Sequence, residues 1–478
     1  MIQFLVAAPR SGSGKTTVTC ALLAALKKRG CDPCAFKSGP DYIDPMFHRS
    51  ALHVDSHNLD LFLSYSVTVR EVYAHYSAGH GAAVCEGAMG FYDGQGMTTN
   101  ASAWELADTL DLPVLLVVQP KGASVTLAAE LNGLKNFRTP SHIVGILLNN
   151  CSEKLYKMLK PMLERETELP VLGYLPHLPD AVIESRHLGL KTAGEIADLQ
   201  QKIDHLADVL GETLDWKLLF RLTECPHPAQ DIFISSKKAL DGIGYFTGSA
   251  IVNLPPDYFR TCSPVRLAVA RDEAFCFTYA ETLDALRLAG ANLVFFSPLH
   301  DGELPPDVYG LYLPGGYPEL YAQQLSENRS MRESIRVAVE HGLPTVAECG
   351  GFLYLGQELE DVNGGLYPMA GVLPGSGMNM KKLVRFGYAE MQSPSRNLLF
   401  HRGERLHIHE FHHWDSTENG AGFTAVKANG SHWDFGFAND HLYAGFPHFY
   451  WMGTPLPYRF VKAAADYRTQ KGQYHDGN

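Results

Sequence analysis

The sequence predicts two α/β domains in series, each built on a mainly parallel sheet. Three observations predict it. The chain opens with a strand, a glycine-rich loop and a helix; a second set of alternating apolar runs and helical periodicities starts afresh near residue 263; and a proline- and glycine-rich stretch separates the two. A length of 478 residues exceeds what one core usually serves, so each half is expected to bury its own. With 45% hydrophobic and 19% charged residues, the chain has the composition of a folded enzyme rather than a disordered one.

The predicted boundaries are 1–225 for the first domain, 226–262 for a linker, 263–462 for the second domain and 463–478 for a tail. In the first domain, short apolar runs predict strands at Ile2–Ala8, Ala82–Glu86, Pro113–Val118 and Ile143–Asn149, with another around Ala35-Phe36-Lys37. A helix over Thr16–Arg29 gathers Val18, Ala21, Leu22, Ala25 and Leu26 on one face and is stopped by Gly30. Pro226, Pro228, Gly242, Gly244, Gly248, Pro255 and Pro256 argue against regular structure in the linker. Beyond it, strands are expected at Val265–Ala270, Asn292–Phe296, Gly310–Leu313 and Thr345–Ala347, with helices around Phe277–Leu288 and Met331–His341. The last ten residues are expected to be loose.

A formal net charge of −12 lacks the basic footprint that a phosphate backbone demands, which argues against nucleic acid as a partner. The opening MIQFLVAAPRSGSGK has no basic leader and is expected to be a first strand, and no apolar run reaches membrane-spanning length. Nine scattered cysteines fit a reducing compartment, so a cytoplasmic location is expected. Cys31 and Cys34 form a lone CxxC between a helix and a strand, with no second pair to complete a zinc site; a loop pair is the simpler reading.

Ser11-Gly12-Ser13-Gly14-Lys15-Thr16-Thr17 lies between a predicted strand and a predicted helix, the context that a phosphate-binding loop requires. Small residues let backbone N–H groups converge on phosphates, Lys15 offsets their charge, and the Thr16 hydroxyl suits Mg²⁺. Pro9 stands where the common pattern has its first glycine, so the loop is of a variant class. Two more segments follow predicted strand ends: Lys37 to Asp44, reading KSGPDYID, and Glu86 to Gly94, reading EGAMGFYDG. Ligands gather beyond the carboxyl ends of such strands. Asp41 and Glu86 are therefore candidate Mg²⁺ ligands beside Thr16, and Tyr42, Asp44 and Asp93 are candidates for orienting substrate.

In the second domain Leu313-Pro314-Gly315-Gly316 follows one predicted strand and Ala347-Glu348-Cys349-Gly350-Gly351 the next. A cysteine between an apolar strand and a glycine pair matches the strand–turn–helix placement of a nucleophile, and a helix start favours its thiolate. Gly315, Gly316 and Gly350 could supply an oxyanion hole. The segment 401–448 holds His407, His409, His412, His413, His432, His441 and His448 without metal-site spacing. One of these histidines should be the base for Cys349.

Along nearly its full length, on SGSGKTT, FKSGPDYIDP, Asn58-Leu59-Asp60, EGAMGFYDG, FSPLHD, LPGGYPELY, AECGG and RFGYAE, the chain resembles the cobyrinic acid a,c-diamide synthases. The resemblance implies a P-loop domain similar to dethiobiotin synthetase joined to a class I glutamine amidotransferase domain. It further implies ATP with Mg²⁺, glutamine and a corrin-type tetrapyrrole as ligands, and amidation through an acyl phosphate. A homodimer is possible. Class I glutaminases of this kind draw the base from a strand end near the C-terminus, which points to His448; Tyr450 stands where a third-member glutamate is frequent, so a Cys-His dyad of Cys349 and His448 is expected. Three other readings compete: the same chemistry on hydrogenobyrinic acid, nickel sirohydrochlorin or later corrin carboxylates; a P-loop switch ATPase; and a scaffold with vestigial sites.

Overall fold

Seven parallel strands carry the N-terminal half of the computed structural model, which describes residues 1–181, 193–225, 244–247, 250–253 and 264–475. They are β1 (Ile2–Ala7), β2 (Pro33–Ser38), β3 (Ser56–Leu59), β4 (Ala82–Glu86), β5 (Val114–Val118), β6 (Ile143–Asn149) and β7 (Val171–Leu175), in the order β3-β2-β4-β1-β5-β6-β7. β4 and β5 are buried at every residue, as a sheet covered on both faces requires, which is why their sequences run apolar without alternating. One face is covered by the helices Lys15–Lys28 and Ala193–Thr213. The latter sends Leu199, Ile203, Leu206 and Leu210 into the core at helical spacing, each contributing about 1.5–3 kcal/mol by burial. Because β1 lies between β4 and β5, and β2 beside β4, the loops that follow β1, β2 and β4 emerge together at the carboxyl edge.

Contact density divides the chain into Met1–Ile234 and Ser235–Asn478. Most of the expected linker 226–262 lies outside the described residues, but β8 (Gly244–Thr247) and β9 (Ala250–Asn253) within it pair as an antiparallel hairpin, more regular than its prolines and glycines suggest. In the second unit β10 (Val265–Ala270), β11 (Ala291–Phe296), β12 (Gly310–Leu313) and β13 (Thr345–Glu348) follow the expected positions. Ten short strands come next. They are β14 (Glu358–Glu360), β15 (Leu366–Pro368), β16 (Gly377–Asn379), β17 (Arg385–Gln392), β18 (Arg405–His412), β19 (Trp414–Ser416), β20 (Phe423–Val426), β21 (His432–Phe435), β22 (Phe437–Ala438) and β23 (Leu442–Gly445). The main sheet runs β11-β10-β12-β13-β23-β22, parallel except for β22, and β18-β17-β20-β21 form an antiparallel layer.

Two expectations need correction here. The helix placed at Phe277–Leu288 begins at Ala280, because Phe277 is drawn into a backbone bridge with Gly315. The expected tail is largely helical: Leu456–His475 is one helix, and Leu456, Phe460, Val461 and Ala464 pack into the core, so a domain end at 462 would cut it.

Candidate functional site

Carbonyl groups of the loop after β1 are tied back to neighbouring strand ends. Asn149, closing β6, donates to the Ser13 carbonyl at 3.0 Å, Gln119 donates to that of Gly12 at 3.4 Å, and the Ser13 hydroxyl donates to that of Arg10 at 2.9 Å. Gly14 has φ +89°, and a Cβ there would fall 2.0 Å from Asn149 Nδ2, so the turn into the helix admits only glycine. First-turn N–H groups of that helix have no intrahelical acceptor, which makes its start a donor array for phosphate oxygens. Ser11 and Gly12 are exposed at the tip and Thr17 is half-buried. Lys15 is buried, with its ammonium on the Met89 carbonyl; burial lowers its pKa, against the opposing charge of Glu86. The Thr16 hydroxyl donates to Glu86 Oε1 at 2.7 Å.

Glu86 also meets Lys37, a fully buried lysine at the end of β2 to which the sequence reading gave no role. Lys37 Nζ stands 2.7 Å from Glu86 Oε1, 2.5 Å from Asp44 Oδ2 and 3.9 Å from Asp41 Oδ2. Burial works against its charge, but the three carboxylates hold the ammonium well above its ordinary pKa. They share one cation unequally. Burial opposes ionisation of all three; Lys37 brings Asp44 below the usual carboxylate range, while Glu86 and Asp41 stay above it. Asn58 on β3 donates to the carbonyls of Gly39 and Asp41 at 3.0 and 2.7 Å and so fixes the loop that presents Asp41.

Counting Lys15 and Lys37 against Asp41, Asp44 and Glu86 leaves one net negative charge at the carboxyl edge. Glu86 Oε2 is buried with no hydrogen-bond partner, and the Thr16 hydroxyl lies beside the same carboxylate. Hard oxygen donors and an orphaned carboxylate oxygen suit Mg²⁺. Asp41 is held by the Ile43 and Asp44 N–H groups at 2.8 and 3.1 Å, with its other oxygen toward Lys37. Of the residues expected to orient substrate, Asp44 is buried and turned onto Lys37, Tyr42 is buried, and Asp93 is exposed, accepting the Gly90 N–H at 3.1 Å.

In the second unit, Cys349 follows β13 with φ +49° and ψ −101°, a strained geometry for a residue with a side chain and one that clusters at functional turns. Its N–H is fixed to the Gly445 carbonyl at 2.8 Å. A Cβ on Gly315 would fall 2.5 Å from His448 Cε1 and 3.4 Å from Cys349 Cβ, so all three converge. A Cβ on Gly350 would stand 3.0 Å from the Gly316 nitrogen, which brings the expected oxyanion glycines to the same place. Backbone bonds from Phe277 to Gly315 at 3.0 Å and from Tyr317 to Ala274 at 2.9 Å hold that turn.

His448 is buried, hydrogen-bonded to Cys349, and backbone-paired with His409 at 2.9 and 3.3 Å. Burial disfavours its charge, yet the neighbouring Cys349 and the hydrogen bond to it, aided by Glu348, raise its pKa to about 10. The other histidines divide by environment. Burial, with the charge of His448, drops His409 to about 3, which leaves it neutral; His412 stacks on Phe446 and engages both ring nitrogens, with the Trp414 carbonyl and Glu410. His407, His413 and His432 are exposed. Among the described residues no group of three or more His, Cys, Asp or Glu side chains is arranged to hold a metal, and no helix is long and apolar enough to cross a membrane.

Comparison with known proteins agrees with this division. Residues 4–189 match the model of the CobQ/CobB/MinD/ParA nucleotide binding domain, and residues 266–455 that of the CobB/CobQ-like glutamine amidotransferase domain. A cobyrinate a,c-diamide synthase of Clostridium tetani is 37% identical over 473 residues, 97% of this chain and 99% of its own length. One from Listeria innocua is 37% identical over 466 residues, covering 95% and 97%.

Proposed function

This chain belongs to the cobyrinate a,c-diamide synthase family, and from that premise we propose that it amidates the a and c carboxylates of cobyrinic acid with ATP and glutamine. The observation that carries the reading is the convergence of Cys349, His448 and Gly315 in the amidotransferase domain. The thiolate attacks the amide carbon of glutamine, the His448 imidazolium protonates the departing nitrogen, and a γ-glutamyl thioester and ammonia result. Water, deprotonated by the imidazole, then releases glutamate. Donors at Gly316 and Gly350 would stabilise the oxyanion of each tetrahedral intermediate.

Ammonia does not displace hydroxide from a carboxylate at neutral pH, so the acid must be activated. The proposed activation transfers the γ-phosphoryl group of ATP to a substrate carboxylate oxygen, giving ADP and an acyl phosphate that ammonia converts to amide and phosphate. Lys15 and the loop N–H groups would hold the phosphates in line, with Lys15 offsetting the charge that spreads over the transferring group. Thr16 and Glu86, with Asp41, would hold Mg²⁺, which would supply charge neutralisation for the phosphates. Lys37 would keep the carboxylates fixed and partly neutralised.

Incubation with ATP, Mg²⁺, glutamine and each of cobyrinic acid, hydrogenobyrinic acid and nickel sirohydrochlorin, read by product mass, tests the substrate. Cobyrinic acid should gain two amides fastest. Preference for either of the others would move the assignment within the amidotransferase class, and no product from any acid would refute it.

A further inference from the structure

Where Tyr450 stands, many glutaminases of this kind carry the carboxylate that orients the catalytic histidine. We propose that Glu348, the residue preceding the nucleophile, fills that role from the opposite side, as the positioning residue for His448. The inference rests on Cys349 and His448 being the glutaminase pair.

The strand register dictates the placement. Along β13, Val346 points into the cluster of Tyr312, Tyr443 and Trp451 while Ala347 points to the other face, so Glu348 follows Val346. In register Glu348 lies opposite Gly445, three residues before His448, and the chain then turns around it to Trp451. The carboxylate is 1% exposed. Trp451 Nε1 donates to Oε1 at 3.0 Å, the Tyr312 hydroxyl donates to Oε2 at 3.3 Å, and His448 Nδ1 stands 3.7 Å from Oε2. His448 is the cationic side chain that Glu348 meets as an ion pair.

A carboxylate so deeply buried is costly unless a cation offsets it, and both other donors are neutral. It therefore favours the imidazolium and keeps the proton-bearing Nδ1 on its own side, leaving Nε2 for Cys349. Trp451 and Tyr312, both in the core, fix the carboxylate so that the ring cannot follow it away. The other groups facing His448 do not compete. His409 stays neutral, with Lys427 beyond it, and burial keeps Tyr312 and Tyr443 protonated.

The test is the pH profile of glutaminase kcat and KM in the full chain, with ammonia-dependent synthesis as the control for folding. Glu348→Gln preserves size and an acceptor for Trp451 but loses the charge. It should lower kcat on the order of 10²-fold, leave the KM for glutamine within about 2-fold, and move the alkaline limb down by about one pH unit or more. Glu348→Asp, which keeps the charge at a greater distance, should move the limb the same way by less. A purely structural role would lower the amplitude without moving the limb, and an unmoved limb in both variants overturns the proposal. His448→Asn separates this from the parent reading: full glutaminase there would remove the pair itself, whereas its loss beside a wild-type Glu348→Gln would remove only Glu348.

Discussion

At the residue scale, the histidines of 401–448 show how environment sorts identical side chains into different jobs. His448 is held protonated beside Cys349 and Glu348, His409 is held neutral by burial, and His412 has both ring nitrogens occupied. His448→Asn should therefore cost on the order of 10²-fold in glutaminase rate, while His412→Asn should leave most of it, measured as glutamate released. A reversal would place the base in the β18 segment. Losing one carboxylate should loosen Mg²⁺ while sparing the phosphate cradle, so Glu86→Gln and Asp41→Asn should weaken ATP turnover more than nucleotide binding, with Glu86→Gln the more severe because Thr16 and Lys37 both depend on it. Turnover titrated with Mg²⁺ would reveal the change as a raised requirement. Cys349, Lys15 and Glu86 stood out as candidates in the sequence because glycine-rich turns flag them. Lys37 and Glu348 were not, since a charged residue within an apolar strand discloses neither its burial nor its partner.

Elements impose the next constraint, because the site residues lie at strand ends or on the loops and helix starts that follow them. The short helix Gly350–Leu355 presses so closely on β12 that a Cβ on Gly351 would lie 2.1 Å from the Leu313 carbonyl. Gly351→Ala should destabilise the fold by about 1–3 kcal/mol, seen as a lower urea midpoint, and should impair glutaminase more than ammonia-dependent synthesis because Cys349 moves with that helix. Unchanged glutaminase would show that the turn tolerates displacement. Apolar runs made the parallel strands β1, β4, β5, β6 and β10 legible. Strand β3 was not, because His57 and Asn58 are polar yet buried, and neither were the short strands between β13 and β23, whose pairing is decided by tertiary contact rather than by local pattern. The terminal helix was misjudged for a related reason: its polar last turns hide a first half that belongs to the core.

For the whole molecule, the proposed function makes nitrogen release and carboxylate activation separate chemistries in separate domains. The sequence carried this division in two glycine-rich constellations about 330 residues apart, counted from Lys15 to Cys349, which local motifs report well. What would grip the proposed substrate was not legible, because shape-matched contacts leave no short signature. The decisive measurement is ¹⁵N incorporation into the corrinoid product from amide-labelled glutamine or labelled ammonium, compared across wild type, Cys349→Ala and Lys15→Ala. Wild type should take two labels from either source, Cys349→Ala should take them only from ammonium, and Lys15→Ala should take none from either while still hydrolysing glutamine. Labelled product from Lys15→Ala, or failure of ammonium to rescue Cys349→Ala, would show that the two chemistries are not divided between these sites.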